Sequence, residues 1–406
     1  MTALGRKPGN QAAHLTPLDI ENIGRELDAL RQTVLDDRGA RDAAYIRRVI
    51  TVHRVLELTG RLTLLVGSKH RPAWLVGTAC LAVAKSLDNM EIGHNVLHGQ
   101  WDWMNDPKIH STTWDWDHAS PPAQWKRAHN FQHHTYTNIL GMDNDLGYGI
   151  MRVDEDQPWE RRHLAQPLLN LVNASIFQYG IAMYDMDLGE NLRDKRGLTP
   201  ELRSRLAETG NKVRRQVTKD YVVFPALSGR SWRRTFTANL TANLLRNLWS
   251  HSVIMCGHFP EGVETFEKPA LDEDETRGEW YLRQMLGSAN ISGSPLMHIM
   301  SGNLSYQIEH HLFPDLPSNR YQEIAPEVRE IFDEYGLRYT TGPLLKQVAS
   351  AWSKVIRLSL PNGFLDDAAD QVRRTIGISS SARTGDDRVV PMRPSADGEA
   401  DEVTAV

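Results

Sequence analysis

Cysteine is nearly missing from this chain: Cys80 and Cys256 are the two in 406 residues. Both sit in apolar runs, so packed side chains are expected rather than a disulfide framework or a thiolate metal site. Charge of one sign is also missing. A net charge of −5 and a pI near 6.4 exclude the basic balance of a nucleic-acid binder, and no nucleic-acid partner is expected. No stretch reaches the roughly eighteen uninterrupted apolar residues that make a spanning helix obvious. The opening MTALGRKPGNQAAHLTP has charge but no apolar core behind it, so no secretory signal peptide is expected. Gly-rich dinucleotide fingerprints, the zincin His-Glu-x-x-His and internal repeats are likewise not found.

What is present begins with a helical signal. Thr16 as a cap, Pro17 in the first turn and a stripe of Leu18, Ile20, Ile23, Leu27, Leu30 and Leu35 predict one amphipathic helix over 16–48. Four apolar runs with polar interruptions follow, at 55–67, 72–87, 167–184 and 238–257, and a small-residue run at 285–300. The break at Ser68 to Pro72 predicts a helical hairpin. With a mean hydropathy of −0.45, buried helices of a soluble bundle and membrane spans fit these runs equally well. Residues 101–135 are rich in tryptophan (Trp101, Trp103, Trp114, Trp116, Trp125), as in an interfacial belt or a packed wall. An excess of Arg and Lys from Arg193 to Lys219 marks a cytoplasmic segment if the runs span a bilayer; it would suit a docking face or a solvated one. The expected organisation is an N-terminal amphipathic segment 1–49, a main domain 50–360 and a disordered tail 361–406 that is Ser, Asp, Gly and Pro-rich.

The chemistry lies in three histidine groups: His94 and His98; His129, His133 and His134; and His310 and His311 with Gln307 ahead of them. Spacings of three and four residues put imidazoles on one helical face. A lone histidine is usually a surface or core residue, and His14, His53, His70, His110, His118 and His163 are read that way. Two His-His pairs, each with a further member of its set one turn upstream, are not so easily dismissed. Seven imidazoles exceed the four ligands of one tetrahedral zinc, so more than one metal ion is expected. A ferritin-like di-iron site needs paired Glu-x-x-His motifs; Glu91 to His94 is the single match.

The strings HNVLHGQWDW, His129-Asn-Phe-Gln-His133-His134 and NLSYQIEHHLFPDLP resemble the histidine boxes of the integral-membrane fatty-acid desaturase family, most closely its actinobacterial NAD(P)H-dependent acyl-CoA (stearoyl-CoA 9-) members. The resemblance covers roughly residues 50–350. It implies an all-α fold: an integral-membrane helical bundle with about four spans as two hairpins, carrying a cytosolic histidine-rich di-iron cap. It implies His94, His98, His129, His133, His134, His310 and His311 as ligands of two iron ions. It adds His251, with Asn247 as a water-linked contact, because Asn247-Leu-Trp-Ser-His251 matches an Asn-x-x-x-His of the family. His258 is a rival to His251, Gln307 stands where some relatives have histidine, and His298 is read as structural.

The activity so implied is insertion of a cis double bond into a saturated fatty acyl chain, stearoyl to oleoyl on coenzyme A for example. Dioxygen is the co-substrate, reduced to water with two electrons from the chain and two from outside. No fused cytochrome b5 string or four-cysteine ferredoxin set is found, so NAD(P)H electrons are expected through a separate flavoprotein or iron-sulfur reductase. Acyl-CoA or acyl-lipid and membrane lipids are the other expected partners, at the cell membrane with the site facing the cytosol. A hydroxylase on the same scaffold and a membrane metal-binding or transport protein are the alternatives; boxes at the ends of the apolar runs favour a catalytic platform over a transport path.

Overall fold

The computed structural model describes residues 11–143, 145–188, 197–267 and 275–364; the expected tail 361–406 lies outside this set but for its first four residues. Residues up to Pro361 form one unit. The all-α expectation holds: apart from one pair of three-residue strands, the named elements among the described residues are helices and short helical turns.

The single helix expected over 16–48 is two. Helix α1 runs Pro17–Asp37, with the Thr16 hydroxyl accepting from the Asp19 N–H and the Asp19 carboxylate accepting from Thr16 N–H. The chain breaks at Gly39, whose N–H donates to Asp42 at 2.9 Å, and α2 restarts as Ala40–Gly67. An acidic side chain three residues past an uncapped glycine satisfies a backbone donor, which is what starts the new helix.

Helix α3 (Arg71–Leu87) folds back on α2 through the expected turn. Gly60 and Gly77 let the two backbones approach: a Cβ on Gly77 would lie 2.6 Å from Leu64 Cγ. Beyond Leu87 the helix continues in a π register over Asp88–His94. A second π stretch, Lys126–His133, extends α4 (Pro122–Trp125). With i→i+5 bonding, residues four and five apart share a face. That brings His129, His133 and His134 to one side, which an ordinary helix does less well.

The run 167–184 is not one helix. Helix α5 (Gln166–Ser175) stops at Ile176 and α6 (Phe177–Asp185) resumes. The backbone freed at this break is taken up by Asn247, whose amide donates to Ser175 O at 2.8 Å. After α7 (Pro200–Val217) comes α8 (Trp232–His258), which lies against α3. The small-residue run 285–300 is no span either. It holds the end of α9 (Arg277–Leu286), strand β1 (Asn290–Ser292) and α10 (Pro295–Met300). Strand β1 pairs in parallel with β2 (Thr341–Pro343), and later in the chain come α11 (Gln307–Leu312), α12 (Tyr321–Glu334) and α13 (Leu344–Leu358).

Two features position the third box. Ile308 and Leu312 of α11 sit in the core that α1, α9 and α12 build from Ile23, Leu27, Leu282, Val328 and Phe332. Asn290 of β1 then accepts from Ile308 N–H and donates to Glu309.

Among the described residues no helix is long and apolar enough to cross a membrane. Helix α2 shows one contribution: it buries the charged Arg61 beside the apolar Ile46, Val49, Ile50 and Leu64. Val52, Val55, Leu58 and Leu62 are each at least half exposed, while Arg61 is buried. Arg61 donates to Asp220 at 2.8 Å and to Asn239 at 2.9 Å; Lys85 donates to Asp220 and Asp117, and Lys219 to Asp117. Buried ion pairs thus lie within the fold while part of the apolar surface of α2 faces outward.

The basic segment is largely paired within the chain. Lys212 meets Asp115, Lys219 meets Asp117 and Arg205 meets Asp187, while Arg193, Lys195 and Arg196 lie outside the described residues. The solvated-face reading therefore has Arg203 and Arg214, both exposed, as its main support.

Candidate metal centre

The π turn ending α3, the π turn after α4, the end of α8 and helix α11 meet at one place and deliver eight imidazoles. His94, His98, His129 and His310 form one group of closely spaced donors; His133, His258 and His311 form a second. His134 lies between them, its ring 4.4 Å from His311, 4.7 Å from His98 and 4.9 Å from His310.

Within the groups Nε2 atoms face one another: His94 and His129 at 3.2 Å, His133 and His311 at 3.3 Å, His311 and His258 at 3.1 Å. The opposite nitrogens are already engaged. His133 Nδ1 donates to Asp143 and His129 Nδ1 to Asp145, both at 2.9 Å. His94 Nδ1 pairs with Asn95 Oδ1, His311 Nδ1 with Gln284 Oε1, His258 Nδ1 with Gly287 O and His310 Nδ1 with the Tyr321 hydroxyl. Carboxylate and carbonyl partners assign the proton to Nδ1, so the Nε2 lone pairs of His94 and His129, and of His311 and His258, point at each other. Such an arrangement is repulsive unless a cation is shared. His98 Nε2, His310 Nε2 and both nitrogens of His134 are buried with no hydrogen-bond partner, which fits the same account. Nδ1 held by an acceptor and Nε2 free is the usual posture of a metal-ligating histidine. The donor set suits metal ions, and its all-nitrogen character suits iron, copper or zinc over magnesium or calcium.

Electrostatics agree. Burial and the neighbouring His129 pull His94 down to about 3, and burial with His133 pulls His258 down to about 3, so both are neutral at pH 7, the form that can ligate a metal. Burial opposes charge on His133 too, but Asp143 and Asp145 outweigh it and raise the group to about 9. A metal at Nε2 would replace that proton.

All seven box histidines are thus brought together. His251, expected as a ligand ahead of His258, is not among them. Its Nε2 donates to Asn170 Oδ1 at 2.9 Å, and its ring packs on Phe177. The α5–α6 break stands between that turn of α8 and the imidazoles, whereas His258, at the helix end, reaches them. Asn247 is engaged with Ser175, Gln178 and Arg246, not with the cluster. Gln307 places its amide nitrogen 3.0 Å from His258 Nε2 and leaves Oε1 buried without a partner. A flip of that amide would aim oxygen at the second group. His298 bonds Ser305, as a structural residue should.

Sequence reasoning missed Asp143 and Asp145, although two acids nine to twelve residues beyond a His-His pair were there to be read. It also set His118 aside as ordinary. The structure buries it against Trp116, in the wall of a cavity of about 50 Å³ beside the imidazoles. Met90, Trp116, Trp125, Phe177, Ile181 and Ile254 give this cavity its apolar lining, and His94 and His129 open onto it.

A helical scaffold gathering eight imidazoles beside a cavity with mainly apolar surface has the donor set of a histidine-rich metal centre. The profile of the fatty acid desaturase family matches residues 72–343, and the chain belongs to that family. It is 52% identical over 367 residues to the NADPH-dependent stearoyl-CoA 9-desaturase of Mycobacterium tuberculosis, covering 89% of this chain and 85% of that one. It is 25% identical over 284 residues to the sn-1 linoleoyl-lipid 6-desaturase of Synechocystis sp., covering 68% and 77%. No solved structure matches. The protein is an oxidoreductase, a fatty acid desaturase.

Proposed function

We propose that this desaturase uses two iron ions to insert a cis double bond into an acyl-CoA, stearoyl-CoA at the 9-position being the leading substrate. The carrying observation is the pair of imidazole groups with Nε2 atoms turned inward and Nδ1 atoms tied to acceptors. His94, His98, His129 and His310 would hold one ion, His133, His258 and His311 the other, with His134 between and Gln307 as a further contact. When bound, the metal pair supplies the oxidising power that removes hydrogen from an unactivated methylene, which no side chain can do. The residues supply the rest. Asp143 and Asp145 orient the imidazoles, and the apolar wall of Trp116, Phe177, Ile181 and Ile254 holds the chain and excludes water. The substrate assignment rests on the 52% identity to a stearoyl-CoA 9-desaturase. That relative's NADPH dependence supports a separate NAD(P)H reductase as the electron source.

We further propose a multi-pass seat in the cell membrane with the imidazoles on the cytosolic side. Its support is the outward apolar stripe of α2 with the exposed Leu75, Leu168, Leu171 and Leu240 on α3, α5 and α8. Ion pairs on the inner side keep their charges out of lipid, as intramembrane charges require. Expression in a host lacking the activity, with fatty-acid profiling and metal analysis, tests the reading. A new monounsaturated acid and about two irons per chain are expected; a hydroxylated product or loosely held zinc would overturn it.

A further inference from the structure

Trp125 touches three of the clustered imidazoles. Its ring stacks on His129, centroids 4.5 Å apart with 22° between planes, and meets His94 at 5.3 Å and His98 at 5.4 Å edge-on. Trp116 abuts Trp125 at 5.2 Å, and both indoles are buried. Aliphatic side chains would line an acyl cavity as well. Indole differs from them in being easily oxidised by one electron, and ring contact with a metal ligand makes electron transfer fast.

We propose that Trp125 and Trp116 are an internal electron reserve for the metal centre, spent when oxygen is activated with no acyl chain in the cavity. The inference rests on the di-iron reading. Reduction of dioxygen to two waters takes four electrons and four protons. In productive turnover the external reductase gives two electrons, the solvent two protons, and the acyl chain two hydrogen atoms. In an empty cavity Trp125 and Trp116 each give one electron, and each oxidised ring releases its N–H proton. Two indoles thereby replace the two hydrogen atoms of the chain. The resulting indolyl radicals are returned to indole by one electron and one proton each from the reductase, or they take up oxygen and are permanently marked. The imidazoles, which must not be oxidised, are spared.

The purified enzyme, its iron content first measured, is run with NADPH, reductase and oxygen but no acyl-CoA, and its peptides are mapped by mass. Oxygen additions should concentrate on Trp125 and Trp116, fall several-fold with saturating acyl-CoA, and be absent from iron-free protein treated alike. In the Trp125→Phe, Trp116→Phe double variant they should move to the histidines, with iron lost several-fold faster per oxygen consumed. Wild-type protein holding two irons whose histidines are oxidised while both indoles stay intact would overturn the reserve and leave the di-iron reading standing. Wild-type protein purified in active form without iron would sink the di-iron reading instead, and indole marking would then have to be equal with and without added iron. The wild-type map decides the matter even if the double variant does not fold.

Discussion

His258 points its Nε2 at His311 Nε2 across 3.1 Å, whereas His251, two turns earlier on the same helix, points its Nε2 at Asn170. Two histidines seven residues apart share a helical side yet have different neighbours, because the α5–α6 break covers the earlier turn. If the chain holds two metal ions as proposed, His258→Ala should cost about one of them, while His251→Gln keeps both. The latter should lose only about 1 kcal/mol of stability with its hydrogen bond. Metal analysis of the two purified variants checks this; the opposite pattern would restore His251 as the ligand.

Asp143 accepts from His133 Nδ1 and from the Asn138 N–H. Asp143→Asn removes the charge that orients the imidazole, and such partners are worth about 10- to 100-fold in metal affinity. Chelator titration of the variant should give a loss in that range, with the fold unchanged by circular dichroism.

Glu91 is fully buried among neutral donors: Tyr45 OH at 3.0 Å, Asn303 at 2.9 Å and Ser318 at 2.6 Å. Burial raises its carboxyl from 4.5 to about 7, against the lowering effect of those hydrogen bonds. The folded state therefore binds the proton more tightly than the unfolded chain. Its contribution to stability is fully present below pH 4.5 and is lost as pH rises to about 7, a cost on the order of 3 kcal/mol. Glu91→Gln should flatten this part of the melting-temperature profile between pH 4.5 and 7.5. An unchanged profile would mean that Glu91 is ionised throughout.

Asp220 neutralises Arg61 and Lys85 at once, both at 2.8 Å. Asp220→Ala leaves two buried cations without it, and breaking such a pair costs roughly 3–5 kcal/mol. The folded yield in detergent should fall sharply, whereas Leu58→Ala on the exposed face of the neighbouring helix should change it little.

The three boxes were legible because ligand spacing is a local property. Four-residue intervals and His-His pairs announce shared helical faces before any tertiary contact exists. The hairpin at Ser68 to Pro72 was legible for the same reason, and so was the cap at Thr16. The split of 16–48 was a local event too, but Gly39 and Asp42 signal it weakly inside a continuous apolar stripe. Hydropathy could not rank soluble bundle against membrane seat, because the buried Arg61 and Lys85 lower the average of α2 and α3, which also carry exposed apolar residues.

What the sequence determined by itself was the helical class and the identity of seven of the clustered imidazoles, from which more than one metal ion is expected. Only the tertiary structure decided that His258 and not His251 completes the set, and that Asp143, Asp145 and Gln284 hold the ring nitrogens. The physical reason is that a ligand's partner across the fold is chosen by where helices end and break. Ile176 breaks a run that reads as continuous, and residues 126–133 wind in a π register that no spacing rule for ordinary helices anticipates.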